Sequence, residues 1–504
     1  MPDKTTSELE LTDIIRSTKN DDTAEKVTMQ ERLKKFLDFF TVEPFLFCYI
    51  LPSIIVGVAT QNLNMVKACQ ADLGYPESIC ENVVDNCNEN DTVAACTESQ
   101  KLVANMLAWS QPLQSSLPAI VILFVGAWSD KTGNRKALML IPILGEIVSC
   151  IGLILATYFT HWPLWFTGLI ESVPSALSGG MSIALMGSYS YLADVTSVDS
   201  RTFRLGLVGI IVTLGVPLGS SISGILVTTL GYYGVFSLGI VLYALGFLQT
   251  YFRVHDVKHE PLQGTFFSKV IQFFHPMNAW DTFSIVILSR GKKLLQILLI
   301  IFAHIVVIGP VFGEGPLLFY YLTSKYEMSV VDFSLFTTYS VLMGIVGTSI
   351  AVTLFSKILK MHDAIIGTIS TTSKILGSFF YGLAPTTKWV YFSPILDIFG
   401  NSGTAIVRSL GTKVVEPDQV GKMCSLIGFV EAVIPVIYTP IYSQVYSSAL
   451  DTFPGAHYLL GGAMTVPALF IFITLYIMHR REQKDVVKDP QAKEMHAHEN
   501  DTVL

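Results

Sequence analysis

Gly126-Ala127-Trp128-Ser129-Asp130-Lys131-Thr132-Gly133-Asn134-Arg135-Lys136 is a short polar stretch at the join of two long apolar runs, 103–128 and 137–157. Each run reaches the about 20 residues that a helix needs to cross a bilayer. The stretch between them therefore reads as a tight turn on one membrane surface. Gly126 lets two helices approach closely, and Gly133 permits a turn that a Cβ would hinder. Asp130 can cap a helix start or pair with a cation of a neighbouring span. Arg135 and Lys136 resist translocation and hold the turn on the cytosolic side.

The same pattern extends in both directions. The 504 residues are 51% hydrophobic and only 14% charged, against about 25% charged in soluble domains. Apolar runs recur from Thr41 to Met478 at 41–63, 103–128, 137–157, 164–192, 205–229, 235–252, 293–322, 333–355, 364–384, 389–408, 423–446 and 456–478. In lipid every backbone polar group must be satisfied internally, so these runs are helices. A β-barrel would instead show alternating segments of about 10 residues. The expected fold is all-α and polytopic, with twelve transmembrane helices in two six-helix bundles, 41–252 and 293–478. A linker at 253–292 joins them, and tails 1–40 and 479–504 flank them. The polar 1–40 segment is expected to be a solvated tail and not a signal peptide, whose apolar core would lie near the start.

Orientation follows from the basic residues. With the N-terminus in the cytosol, 28 of the 33 Lys and Arg fall on the cytosolic side, and Lys67, Lys101, Lys325 and Lys388 face outward. Lys374 lies inside the ninth span. The bias places both termini in the cytosol. Six spans, one long link and six more describe two halves able to rock about a midplane cavity.

The first external loop, 64–102, has its own composition. Cys69, Cys80, Cys87 and Cys96 accompany seven acids and two lysines. Four cysteines on the translocated side imply two disulfides, with three possible pairings. Zinc is the alternative, disfavoured because no Cys-x-x-Cys pair or His accompanies them. Asn90-Asp91-Thr92 is a glycan acceptor sequon. Cys48, Cys150 and Cys424, in apolar runs, are expected to pack as small core residues.

The 126–136 stretch matches the signature of the major facilitator superfamily between spans two and three at every specified position. The resemblance implies that Gly126, Asp130, Gly133, Arg135 and Lys136 form a latch closing the cytosolic face. Further stretches resemble the proton-coupled folate transporter family (solute carrier family 46): Tyr191-Leu192-Ala193-Asp194-Val195 running into Arg201-Thr202-Phe203-Arg204, Val42-Glu43-Pro44, and Ile406-Val407-Arg408. Asp194, Arg201 and Arg204 belong to the family motif. Gly209 and Val311 stand where the folate-transporting member carries a glutamate and a histidine tied to proton coupling. The resemblance thus implies a relative of the folate transporter, acting on folate-like anions or conjugates at the plasma or the lysosomal membrane.

Charges retained within spans usually face a cavity, since one at the bilayer centre costs about 2.5 to 3.5 kcal/mol on insertion scales. Glu314 lies in Gly309-Pro310-Val311-Phe312-Gly313-Glu314-Gly315-Pro316, where prolines and glycines should unwind the helix. It would bind a proton, or simply be solvated at a kink. Asp397 and Arg408 are eleven residues apart, about three turns and roughly 16 Å along one helix face. Asp397 is a coupling candidate. Arg408 would sense a substrate anion or anchor its helix end. Glu171 would line the cavity or pair with a neighbour. His304, two turns before Val311, would replace the family's histidine or serve helix packing. Lys374 would pair with a buried acid, and Glu146 and Glu431 are further in-span charges given less weight.

No Gly-x-x-x-x-Gly-Lys-[Ser/Thr], His-Glu-x-x-His or Gly-x-Ser-x-Gly pattern is present, so neither a nucleotide-driven pump nor an enzyme is expected. No cofactor, resident metal or nucleic-acid partner is expected. The functional expectation is a secondary active transporter of a small organic anion, coupled to protons, embedded in the lipid bilayer. The alternative is a transporter-derived receptor or scaffold. The terminal Thr502-Val503-Leu504 is a short PDZ-type ending.

Overall fold

The computed structural model describes residues 41–80, 92–132, 134–196, 198–256, scattered positions between 274 and 287, 289–415 and 419–488. Cys87, Asn90, Gly133 and the C-terminal tripeptide lie outside them, as do the surroundings of Gly126 and the side chains of Asp130 and Arg201.

The first half is built from α1 (Glu43–Lys67), α2 (Val93–Thr132), α3 (Lys136–Tyr158), α4 (Leu164–Ser178), α5 (Gly180–Val195) and α6 (Val198–Arg253). Helices α4 and α5 are one crossing, bent at Gly179. Helix α6 is two crossings, because Gly231 takes φ 62° and ψ −177°, a combination open essentially to glycine alone. The second half comprises α7 (Gly291–Glu314), α8 (Leu318–Tyr326), α9 (Val330–Ile350), α10 (Asp363–Leu383), α11 (Ser402–Val414), α12 (Val420–Ala449) and α13 (Ala456–Lys488). A 3₁₀ turn, Gly315–Leu317, joins α7 to α8 in a single crossing.

Among the described residues nine helices are long and apolar enough to cross a membrane, and one of them, Val208–Arg253, is the double crossing. Two further crossings fall short of that standard. Helix α10 carries Lys374 and the run Ser370-Thr371-Thr372-Ser373, and the tenth crossing is broken. Together these make twelve membrane-crossing segments, six on each side of the 253–292 link, as the apolar runs require.

The chain forms two compact units. One takes the described residues within 1–67, 120–275 and 330–338; the other takes those within 68–119, 276–329 and 339–504. In the first unit, α1 packs along both arms of α6. Gly215 and Gly219, one turn apart, seat Ile50 and Ile54, while Gly239 and Gly246 seat Val56 and Cys48. Lipid tails are as apolar as leucine, so close backbone approach rather than hydrophobic burial draws such helices together. In the second unit Ile297, Ile300, Ala303, Val407, Met423, Ile427 and Phe472 form a core shared by α7, α11, α12 and α13.

Helix α10 begins at a histidine cap. His362 Nδ1 accepts the Ala364 N–H at 3.2 Å, and its ring stacks on His479 at 4.0 Å between centroids. Burial, with His479 beside it, pushes the His362 pKa below its ordinary value. That favours the neutral ring that capping needs.

Three expectations need correction. The Gly309–Pro316 stretch does not unwind at Glu314. Gly309 and Gly313 face α12, where any Cβ would collide with the rings of Tyr438 and Tyr442, so these glycines are ring seats in an intact helix. The tenth crossing is not one helix. Single turns at Thr387–Val390 and Ser393–Leu396 precede α11, and turns fill the interval between Leu396 and Ser402. Asp397 and Arg408 therefore do not share a continuous helix face. Among the cysteines of apolar runs, Cys150 is buried and Cys48 half-buried, but Cys424 is exposed.

Cys69 and Cys80 form a disulfide, with Cα atoms 5.6 Å apart. Cys96 is also disulfide-bonded.

Gly231→Ala should lower the melting temperature of the detergent-solubilised protein, at a cost of about 1–3 kcal/mol for a side chain at that backbone geometry. A Cβ meets nothing within 4 Å at Gly231 or at Gly428. The helical Gly428→Ala should therefore leave the melting temperature unchanged or raise it.

Candidate functional site

The second unit holds two ionic clusters. In the first, Lys374 of α10 reaches two acids. Its Nζ donates to Glu314 Oε2 at 2.9 Å and to Asp397 Oδ2 at 3.4 Å. Side-chain exposure is 11% for Lys374, 7% for Glu314 and 19% for Asp397. Ser378, one turn after Lys374, donates to Glu314 Oε1 at 3.5 Å. Asp397 Oδ1 is buried without a hydrogen-bond partner.

Close backbone approach builds this cluster. A Cβ on Gly377 would collide with Asp397, and one on Gly461 of α13 would collide with Glu314. The interrupted tenth crossing fits the same purpose. Its turns lie against α10, whose serines donate to their carbonyls. Ser370 Oγ donates to Phe399 O at 2.8 Å and Ser373 Oγ to Leu396 O at 2.6 Å. The turn is thereby fixed beside Lys374 with Asp397 at its edge.

In the second cluster, Arg408 of α11 places Nη2 2.7 and 2.5 Å from the two carboxylate oxygens of Glu431 on α12. His304 of α7 is fully buried, with Nε2 2.9 Å from Glu431 Oε1. The carboxylate accepts, so Nε2 carries the proton, and Nδ1 is left without a partner. Arg408 remains 53% exposed. His304 and Val311 lie seven residues apart on α7, but Val311 is 44% exposed whereas His304 is packed against α12.

The first unit treats its inner acids differently. Glu146 Oε1 accepts from Tyr49 Oη and Ser175 Oγ, each at 3.2 Å. Glu171 Oε2 lies 3.5 Å from Asn64 Nδ2. Cations appear toward the helix ends. Arg204 Nη2 meets Glu43 Oε1 at 3.2 Å, with both side chains buried. Arg135 Nε meets Asp194 Oδ2 at 3.0 Å. The backbone N–H groups of Arg135 and Lys136 both donate to Asp256 Oδ1 at 2.9 Å, placing an anion at the start of α3 where the helix dipole favours one. Lys136 Nζ donates to Tyr251 O at 2.5 Å and sits over the Tyr251 ring. The basic turn thus ties α3 to the ends of α5 and α6.

The structure brings together Glu314 with Asp397, and Arg408 with His304. It does not bring Asp397 to Arg408. Sequence reasoning placed Lys374 with a buried acid, gave Glu431 little weight, and missed Asp256, Ser378 and the glycine seats. For Glu431 the one available signal was the tally of charges within spans. Among the described residues no group of three or more metal-ligating side chains occurs.

A helical membrane chain with charge clusters inside its crossings is built as a membrane transporter. This chain belongs to the Major Facilitator Superfamily, whose pattern it matches over residues 95–439. It is similar to the probable peptidoglycan muropeptide transporter SLC46 of Drosophila melanogaster, 21% identical over 470 residues covering 91% of this chain and 89% of that one. It is 23% identical to the lysosomal proton-coupled steroid conjugate and bile acid symporter SLC46A3 of Gallus gallus, covering 86% and 93%. It is 21% identical to the proton-coupled folate transporter of Rattus norvegicus, covering 85% and 91%. The fold is shared with the human organic anion transporter MFSD10, with TM-score 0.56 and 13% identity over 86% of this chain and 99% of that one.

Lys374→Met should destabilise the protein by about 3–5 kcal/mol, because two carboxylates lose their shared cation. Adding Glu314→Gln and Asp397→Asn to it should restore most of the loss. Thermal melting of detergent-solubilised protein measures both.

Proposed function

We propose that this chain is a proton-coupled symporter of small organic anions or conjugates, working by alternating access, with Glu314, Lys374 and Asp397 as its proton-binding centre. One observation carries the reading: two carboxylates share a single ammonium inside a membrane crossing, and one carboxylate oxygen, Asp397 Oδ1, is buried without a partner. With both acids ionised the cluster holds one net negative charge. Taking one proton makes it neutral, and a neutral cluster moves through a low-dielectric interior at far lower cost than a charged one. Proton binding and conformational exchange are then linked through the same three side chains.

Arg408 is the anion-responsive residue. Its guanidinium is held on Glu431 yet half exposed, so a substrate carboxylate or sulfate can compete for it. Release of Glu431 then passes to His304, which shares that carboxylate. Glu171, held by the neutral donor Asn64, is a second place where a proton can reside. The latch at Arg135 and Lys136 closes the cytosolic face when the cavity opens outward, with Asp130 and Gly133 completing it. Folate, steroid conjugate and muropeptide transport by the similar transporters support the substrate class. The chain resides in the plasma or the lysosomal membrane with both termini cytosolic. A glycan occupies Asn90, and a PDZ domain is the partner of the C-terminus.

The test is uptake of labelled folate and of a labelled steroid sulfate into cells displaying the protein, at acidic and at neutral external pH. Acid-stimulated, saturable uptake of either is the expected result. Arg408→Gln should reduce it by at least about tenfold with surface protein unchanged. Bound probe without uptake or counterflow would overturn symport and favour a receptor.

A further inference from the structure

His457 opens α13 at the end of the second unit that carries the disulfide-bearing loop. On that side Lys101 of α2 pairs with Asp451, and Gln100 donates to Tyr320 O at 3.2 Å. The His457 ring is fully buried. Its Nδ1 lies 3.0 Å from Pro454 O. A carbonyl oxygen only accepts, so Nδ1 carries the proton and Nε2 is a bare base. That Nε2 is buried with no hydrogen-bond partner.

Tyrosines enclose it. Ring centroids lie 5.1 Å away at Tyr446 of α12, 5.2 Å at Tyr321 of α8 and 4.4 Å at Tyr458 on its own helix. Tyr326 and Lys325 stand behind Tyr321, with Lys325 Nζ 5.3 Å from the Tyr321 ring centre. Tyr381 of α10 stacks on Tyr458 at 5.0 Å. Tyr446 Oη donates to Gln100 Oε1 at 3.0 Å. Among the described residues, these are the charged and titratable side chains placed against the imidazole from the helices around it.

The antiparallel helices α12 and α13 form a ladder of two rungs. Tyr446 meets His457 on the outer rung. Four residues along each helix, about 6 Å deeper, Tyr442 and Gly461 form the inner rung. There Tyr442 Oη and Glu314 Oε1 both crowd the Cβ position of Gly461. Tyr442 Oη is itself buried without a hydrogen-bond partner. Two unpartnered polar atoms, one a bare base, therefore lead along one face toward the carboxylate of the ionic cluster. Buried polar groups are ordinarily paired, and polar sites of this kind hold water where there is room for it.

We propose that His457 is the entry relay that delivers protons to Glu314 from the side of the disulfide-bearing loop, through Tyr442 and bridging water. The inference rests on the proton-coupled reading above. A proton binds Nε2 to form an imidazolium, leaves along the water and the Tyr442 hydroxyl, and protonates the Glu314 carboxylate. The ring returns neutral in its original tautomer, held by Pro454. Transport of substrate needs the cluster; charging of the cluster from that side needs His457.

The experiment compares two modes in cells displaying the protein, with a labelled steroid sulfate or labelled folate as probe. Net uptake driven by an inward proton gradient requires relay, whereas counterflow at equal pH on both sides does not. His457→Gln should lower net uptake about tenfold and flatten its pH profile, leaving counterflow within about twofold of the unaltered protein. Tyr442→Phe keeps the ring on Gly313, removes only the hydroxyl, and should reproduce the effect more weakly. Equal loss of both modes in both variants would make the ladder structural and overturn the relay. Undiminished acid-driven uptake in both would overturn it as well. If the unaltered protein shows counterflow without acid stimulation, proton coupling fails, and the relay with it.

Discussion

A charge inside a bilayer has no water to turn to, and the polar architecture of this chain is a set of answers to that constraint. In the second unit the answer is a cation. Lys374 is shared by Glu314 and Asp397, and Arg408 holds Glu431 with His304 on the same carboxylate. In the first unit the inner acids are met by neutral donors instead. Tyr49 and Ser175 serve Glu146, and Asn64 serves Glu171. The two solutions have different chemistry. A carboxylate beside a cation is balanced by a neighbouring charge, and a carboxylate beside hydroxyls or an amide is held by neutral hydrogen-bond donors alone.

Holding such clusters together demands short distances between helices that gain little from burying apolar surface. The chain meets the demand with glycine. Gly215, Gly219, Gly239 and Gly246 bring α6 onto α1 in the first unit, and Gly309 and Gly313 admit the tyrosines of α12 in the second. Gly377 and Gly461 then set Asp397 and Glu314 against their neighbours. The ionic groups and the glycines are therefore one design: leaving the side chain off the helix surface is what lets a carboxylate on one helix reach a cation on another.

The crossings were legible because the bilayer imposes one length and one composition on every segment. Lys374 was legible as a paired cation, since a lysine in mid-membrane has few other options. Its partners were not. Glu314 and Asp397 lie 60 and 23 residues from it along the chain, and no local periodicity encodes that meeting. Helical arithmetic failed between Asp397 and Arg408 because it assumes an unbroken helix, while Ser370 and Ser373 on another helix hold a turn there. The glycines of 309–316 misled for a related reason. A glycine that loosens a backbone and one that seats a neighbouring ring are the same letter, and only the Tyr438 and Tyr442 rings tell them apart. Glu431 was underweighted because its worth comes wholly from Arg408 and His304, both remote in sequence.

The broken tenth crossing bears on how the protein is made. Segments enter the membrane during synthesis according to their own hydrophobicity, and a lysine or an aspartate near the centre weighs heavily against entry, by about 2.5 to 3.5 kcal/mol each. Helix α10, with its lysine and serines, and the broken segment that follows are the two crossings that do not stand among the long, strongly apolar helices. They are adjacent in the chain, and they carry Lys374 and Asp397, which face one another at 3.4 Å. In a hairpin of the two, each charge would cancel the other, and the serines of α10 would add their hydrogen bonds to the carbonyls of its successor. The pair that serves the folded protein is thus also the passport by which these two segments leave the translocation machinery, and a change to either residue is felt first at biogenesis.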